Sequence, residues 1–205
     1  MREILITIAA VMLTGCIGVS KTELLKDEKG KPIILPIESV AEADAKPESS
    51  TAKAPKISIH DAAAQGNNDA IKQHLSAGTD INTKDNRDGG KSPLMHAVFW
   101  GHKEIAKLLI SNGADIDLAD DAAGATSLHY SVLGHDWEPT EDRYSIIAML
   151  IKSGADVNAI AKSGHVTRRG GTTLDMANEI KLLEIADLLR KHGAKTAKEL
   201  KAEGK

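Results

Sequence analysis

Eight histidines, 29 acidic residues and a single cysteine are the side chains of this sequence equipped to ligate a metal, move protons or attack a substrate. A protein zinc site needs Cys, His or carboxylate ligands at short, repeated spacing. No His/Cys or His/carboxylate cluster here has that spacing, so His60, His102, His129 and His135 are read as structural, and no metal and no cofactor is expected. Asp120/Asp121 and Glu141/Asp142 are paired carboxylates, but acid–base catalysis also needs a nucleophile or base held beside them. They read as solvated loop residues. Ser127 and Ser131 stand in no motif that would activate a hydroxyl. Gly170-Gly171 lacks the Gly-Lys-Ser/Thr ending and preceding strand of a phosphate loop. One constellation keeps a hydrolytic reading open: His135 and Asp136 in segment 134–144, facing His165 in segment 159–173. It requires a deep pocket between those two segments.

The elements that position these residues are aliphatic. Aromatic residues make up 2% of the 205, so any core is built from Leu, Ile, Val and Ala. That suits closely packed helices better than a sandwich or barrel. The net charge of −3 is spread along the chain and offers no basic stripe for phosphates, so nucleic acid is not an expected partner. With one cysteine there is no intrachain disulfide.

Residues 1–16 read MREILITIAAVMLTGC: a positive Arg2, an apolar run from Ile4 to Leu13, then Leu13-Thr14-Gly15-Cys16. The run has signal-peptide length and is too short to span a bilayer as a helix. The closing four residues resemble the lipobox of bacterial lipoproteins. That resemblance implies a signal peptide over 1–15, cleavage before Cys16 and diacylation of its thiol. At ~0.8 kcal/mol per buried methylene, two or three acyl chains hold a protein on a membrane almost permanently. Ile17, rather than aspartate, follows the cysteine, which by the same analogy favours the outer membrane, periplasmic side. The alternatives are an ordinary cleaved signal with a stray thiol, or an apolar N-terminus that is not a signal at all. Residues 16–55 carry Pro32, Pro36, Pro47 and Pro55 amid Ala, Glu, Ser and Lys, and read as a disordered tether.

Beyond it, four copies overlay by spacing. Ile59 to Gly78, Leu94 to Gly113 and Leu174 to Gly193 are each 19 positions apart, and Leu128 to Gly154 is 26, an insertion of seven. Each copy has a small residue in its first helix (Ala62, Ala97, Ser131, Ala177) and an apolar pair in its second, such as Leu108 with Leu109. Ser92-Pro93-Leu94-Met95-His96-Ala97 supplies an N-cap hydroxyl and a proline for the first turn. Gly113-Ala114-Asp115-Ile116-Asp117 supplies a glycine stop and a turn. These runs resemble the ankyrin family, whose repeat is a β-turn and two helices in ~33 residues. The resemblance implies an all-α ankyrin-repeat solenoid of about four helix-turn-helix repeats with finger loops, over 56–195. Residues 196–205 read as a polar tail that could add a short polar helix, with Leu200 its single large apolar residue. It also implies a monomeric, non-catalytic module that binds a protein partner through its concave face and fingers.

Departures from the repeat pattern mark candidate contacts. Phe99 and Trp100 lie where first-helix residues face the groove, and read either as a binding anchor or as packing against the next helix. The insertion Gly134 to Tyr144 lengthens the link between two helices and carries Trp137. The finger from Ala119 to Ala125 is acidic, with Asp121. The finger from Ala159 to Thr173 is basic, with Arg168 and Arg169 to select an acidic patch. Tyr130 completes the candidate set. A second reading is a neutralising factor for a periplasmic enzyme; the hydrolase ranks last.

Overall fold

The computed structural model describes residues 54–135, 140–162 and 170–204. The signal segment, Cys16 and the tether lie outside them, as do Asp136, Trp137, His165, Arg168 and Arg169. Among the described residues the order is α1 (Ile59–Ala64), α2 (Asn68–Ser76), α3 (Pro93–Phe99), α4 (Lys103–Ser111), α5 (Ser127–Leu133), α6 (Glu141–Lys152), α7 (Thr173–Glu179), α8 (Leu183–Lys191) and α9 (Ala197–Ala202). The two isolated bridges, Asp85 with Lys91 and Ala161 with Gly171, pin finger loops antiparallel. None of the described helices is long and apolar enough to cross a membrane.

Helices of six to nine residues are too short to hold together alone in water. They are started by their own side chains. The Ser92 Oγ accepts from the Met95 N–H at 3.3 Å, and Thr172 and Thr196 form reciprocal caps with Asp175 and Glu199. They are held by stacking. First helices α1, α3, α5 and α7 pack on one another in sequence, and second helices α2, α4 and α6 form a layer behind them. Ala62, Ala97, Ser131 and Ala177 are buried where the first helices meet, and Ile71, Leu109, Leu150 and Leu189 fill the space between layers.

A side-chain ladder repeats at the base of the fingers. Asn82 Oδ1 accepts the Asp115 N–H at 2.9 Å, Asp117 Oδ1 accepts that of Asp156 at 2.9 Å, and Asn158 Oδ1 accepts that of Lys195 at 2.8 Å. The same Asp/Asn positions that close each local turn therefore tie each repeat to the next.

Two elements add helix to the bare repeat pattern. The insertion is only partly a link: Thr140 accepts from the Arg143 N–H, and Glu141 to Tyr144 become the first turn of a 12-residue α6. Acidic residues behind a hydroxyl cap favour a helix start. The tail is also helical, since Leu200 is buried and the Ala197 N–H donates to Asp175 at 2.7 Å. Polar α9 thus takes the place of a further finger.

Candidate functional site

The groove lies between the first helices and the fingers. One helix position recurs in each repeat as Asp61, His96, Tyr130 and Met176; Asp61 meets Arg87 of the first finger at 3.3 Å, His96 lies near Asp85 of the same finger, and Tyr130 bonds Asp120 of the second. In the second finger Asp120 is buried; its Oδ1 accepts the N–H of Ala123 at 2.7 Å and of Ala125 at 3.2 Å, and its Oδ2 accepts the Tyr130 hydroxyl at 2.6 Å. In the first finger Asp85 takes the same place. It accepts from the Arg87 N–H and Nε, both at 2.9 Å, and lies 4.0 Å from His96 Nε2. In the third finger the equivalents are Ala161 and Met176, both buried, so an apolar pair replaces the polar one.

This arrangement sharpens one expectation and corrects another. Tyr130 offers the groove only its ring: the residue is 2% exposed, and burial first, then its bond to Asp120, pushes the phenol well above its usual range. Asp120 and Asp121 are not an exposed pair, because the finger turn sends the first inward and the second outward, where it meets Lys84 Nζ at 2.6 Å. Hydrogen bonding from Arg87 holds the Asp85 carboxyl down at about 2. Burial lowers His96 and His129, which are neutral near pH 7.

Histidines tie loops together. His60 Nε2 donates to the Thr83 carbonyl at 2.9 Å, His102 Nε2 to that of Ala64 at 3.0 Å, and His74 Nε2 to that of Ile57 at 2.8 Å. His129 Nδ1 accepts from the Thr126 N–H at 3.2 Å, leaving Nε2 to donate to the Gly171 carbonyl at 3.4 Å. The buried His96 and the His74 latch escaped the sequence reading; the sequence signal was a histidine in each of the first three repeats at a buried helical register.

The aromatic candidates divide over two surfaces. Trp100 caps the end of α3, is 42% exposed, and stacks on His135 of the next repeat at 4.4 Å between ring centres. The His135 N–H donates to the Phe99 carbonyl at 2.9 Å. Behind Trp100 a cleft of about 40 Å³ reaches Gly134, Thr140 and Arg143. Phe99 is half-buried and meets Tyr130 edge to face at 6.3 Å on the groove side. There a cavity of about 270 Å³ opens between the first two fingers. His135 is thus engaged with Trp100, and its hydrolytic companions Asp136 and His165 lie outside the described residues. Among those residues no group of three or more His, Cys, Asp or Glu is placed to hold a metal ion.

The chain matches the family model described as "Ankyrin repeats (3 copies)" over residues 59–161. It is similar to the E3 ubiquitin-protein ligase XBAT33 of Arabidopsis thaliana, at 29% identity over 145 residues, 64% of this chain and 28% of the relative. It is also similar to two mouse proteins, both from Mus musculus. Protein phosphatase 1 regulatory subunit 12A is 36% identical over 66 residues, 32% of this chain and 6% of the relative. Protein phosphatase 1 regulatory subunit 27 is 40% identical over 63 residues, 31% of this chain and 40% of the relative. The chain therefore spans well under half the length of each.

Proposed function

The chain belongs to the ankyrin-repeat family, and from that premise we propose that it is a non-catalytic module that binds one protein partner along the groove, the fingers and the edge marked by Trp100. The observation that carries the reading is the exposed indole of Trp100, next to Phe99, in a chain with two tryptophans. Exposed tryptophan concentrates interface energy, and hot-spot truncations cost 2 kcal/mol or more, roughly 30-fold in affinity. Relatives named as regulatory subunits of protein phosphatase 1 favour a binding role over a catalytic one. Asp121 and the basic pair Arg168/Arg169 add selectivity for the partner's charge.

The same module is moored to a bacterial envelope membrane, outer membrane and periplasmic side, by acyl chains on Cys16. The support is the Ile4 to Leu13 run followed directly by Leu13-Thr14-Gly15-Cys16. Mass spectrometry of the mature N-terminus tests the anchor: an acylated Cys16 is expected, and a free thiol there overturns it. Photo-crosslinking in cells from a probe at position 103 tests the binding reading. One dominant protein adduct is expected, strongly reduced by Trp100→Ala and by Arg169→Glu. An adduct unchanged by both substitutions removes these residues from the interface.

A further inference from the structure

We propose that the cavity between the first two fingers and helices α3 and α5 is a socket for one uncharged apolar side chain, of leucine to phenylalanine size, carried by the partner protein. This rests on the reading of the groove as a protein-binding surface and names what the partner must present there. The walls are Phe99, Leu133 and the ring of Tyr130, with Ala122 and Ala123 from the second finger and Gly89 and the Asp88–Lys91 ion pair from the first. Tyr130 contributes only its ring, because its hydroxyl is spent on Asp120 beneath the finger. Small residues hold the mouth open: a Cβ on Gly89, at φ +64°, would come within 3.1 Å of the Ala122 Cβ. At ~30 Å³ per water, the volume of about 270 Å³ holds about nine waters. That suits one large side chain and falls just short of the ~300 Å³ at which small-molecule sites begin.

Charge decides the kind of side chain. Among the described residues, the cations of the first finger are paired within the chain. Lys91 Nζ meets Asp88 at 2.8 Å, Lys84 meets Asp121 at 2.6 Å, and Arg87 meets Asp85 at 2.9 Å. Lys91 also lies over the Tyr130 and Phe99 rings, at 5.3 and 5.9 Å from their centres. A charged intruder would lose hydration and find every counter-charge engaged, whereas an apolar one releases the waters at no such cost. Fingers tied to each other keep the socket formed, since the Asp121 and Ala122 N–H groups donate to the Gly89 carbonyl at 2.9 and 3.2 Å.

The test is amide NMR of the full chain with four blocked amino acids as probes: the N-acetyl amides of leucine, phenylalanine, arginine and aspartate. The leucine and phenylalanine probes are expected to shift the amides of Gly89, Ala122, Ala123 and Leu133, with the charged pair at least tenfold weaker. Ala122→Trp, at an exposed finger position, fills the mouth and should abolish those shifts while leaving the helical circular dichroism intact. Asn112→Ala, at the end of α4, touches no socket wall and should keep them. Equal response to the charged probes, shifts mapping elsewhere, or no effect of Ala122→Trp overturns the proposal. So does a concentration-dependent dimer that Ala122→Trp dissolves, since the occupant would then be a second copy of the chain. If probes bind here but partner crosslinking survives both Ala122→Trp and Trp100→Ala, the groove reading fails alone. If Trp100→Ala abolishes crosslinking and no probe binds, the socket fails alone.

Discussion

Removing a single oxygen from Tyr130 should destabilise the whole repeat stack. Its hydroxyl is buried and donates to the Asp120 carboxylate at 2.6 Å. Hydrogen bonds to charged groups contribute ~1.5–3 kcal/mol, so Tyr130→Phe is expected to lower unfolding stability by about 2 kcal/mol. Asp120→Ala should cost more, because it also orphans the N–H groups of Ala123 and Ala125 and releases the turn that shapes the finger. In the double variant the tyrosine bond is lost once, so the combined loss should fall short of the sum by ~1–2 kcal/mol. Urea denaturation followed by circular dichroism at 222 nm reads all three. A loss below ~0.5 kcal/mol for Tyr130→Phe, or strict additivity, would refute the reasoning. It would mean that the finger is set by its backbone alone and that Tyr130 is free to serve as a contact.

Lys181 holds φ 60° at the inter-helix turn where Gly66 and Gly101 stand in earlier repeats. Lys181→Gly should therefore raise stability by up to ~1 kcal/mol, and an unchanged urea midpoint would argue against strain at that turn. Acid should weaken the fold in two steps. His96 and His129 have folded values lowered by burial, so the unfolded chain takes up their protons first and stability falls as pH drops below 6.5. Asp85 follows, its contribution of about 2 kcal/mol lost between pH 3.8 and about 2. A flat stability profile from pH 7 to 5 refutes the histidine step. Gly134→Ala should destabilise the third repeat. Gly134 has φ 54°, strained for an L residue, and a new Cβ would run into the buried Arg143 guanidinium, which would have to move. Thermal melting checks it, with a shift under ~2 °C as the contrary result.

What the sequence made legible was what neighbours along the chain decide. Ser92-Pro93 and Thr172 mark helix starts because a cap acts within three residues, and Gly113 marks a stop because only the backbone is at stake. One local signal went unread, Thr140 ahead of Glu141-Asp142, which opens α6; the short helix allowed for the tail forms behind Thr196. The site was harder to read because adjacent, chemically identical residues part company in three dimensions. Asp120 and Asp121 differ only in which way the finger turns, and that is set by the Asp120 N–H bonding to the Ala125 carbonyl at 2.9 Å. Tyr130 looked like a contact because a helical repeat makes a residue's type visible but not what lies above it. Phe99 and Trp100 are neighbours in sequence, yet one faces the groove and the other the turn, about 100° apart around a helix.

The substitution of Ala161 and Met176 for the polar pairs below them in the stack has a mechanical consequence. The first two fingers are each clamped by a buried aspartate whose bonds reach both the finger backbone and the helix beneath, or lie beside it. The third is held at its root by reciprocal backbone bonds between Ala161 and Gly171, at 2.9 and 2.8 Å, and by the Lys162 N–H donating to the Ala123 carbonyl at 2.7 Å. Directional, desolvated bonds fix a loop's orientation, whereas apolar packing tolerates sliding. Pre-organisation lowers the ordering entropy lost on binding, so a rigid socket belongs between the two clamped fingers. Ala161→Asp with Met176→Tyr would graft the second finger's clamp onto the third. Slower amide exchange at Lys162 and Gly170 is the expected sign that the clamp, and not the finger's length, sets its stiffness; unchanged exchange in a variant of equal stability would sink the argument.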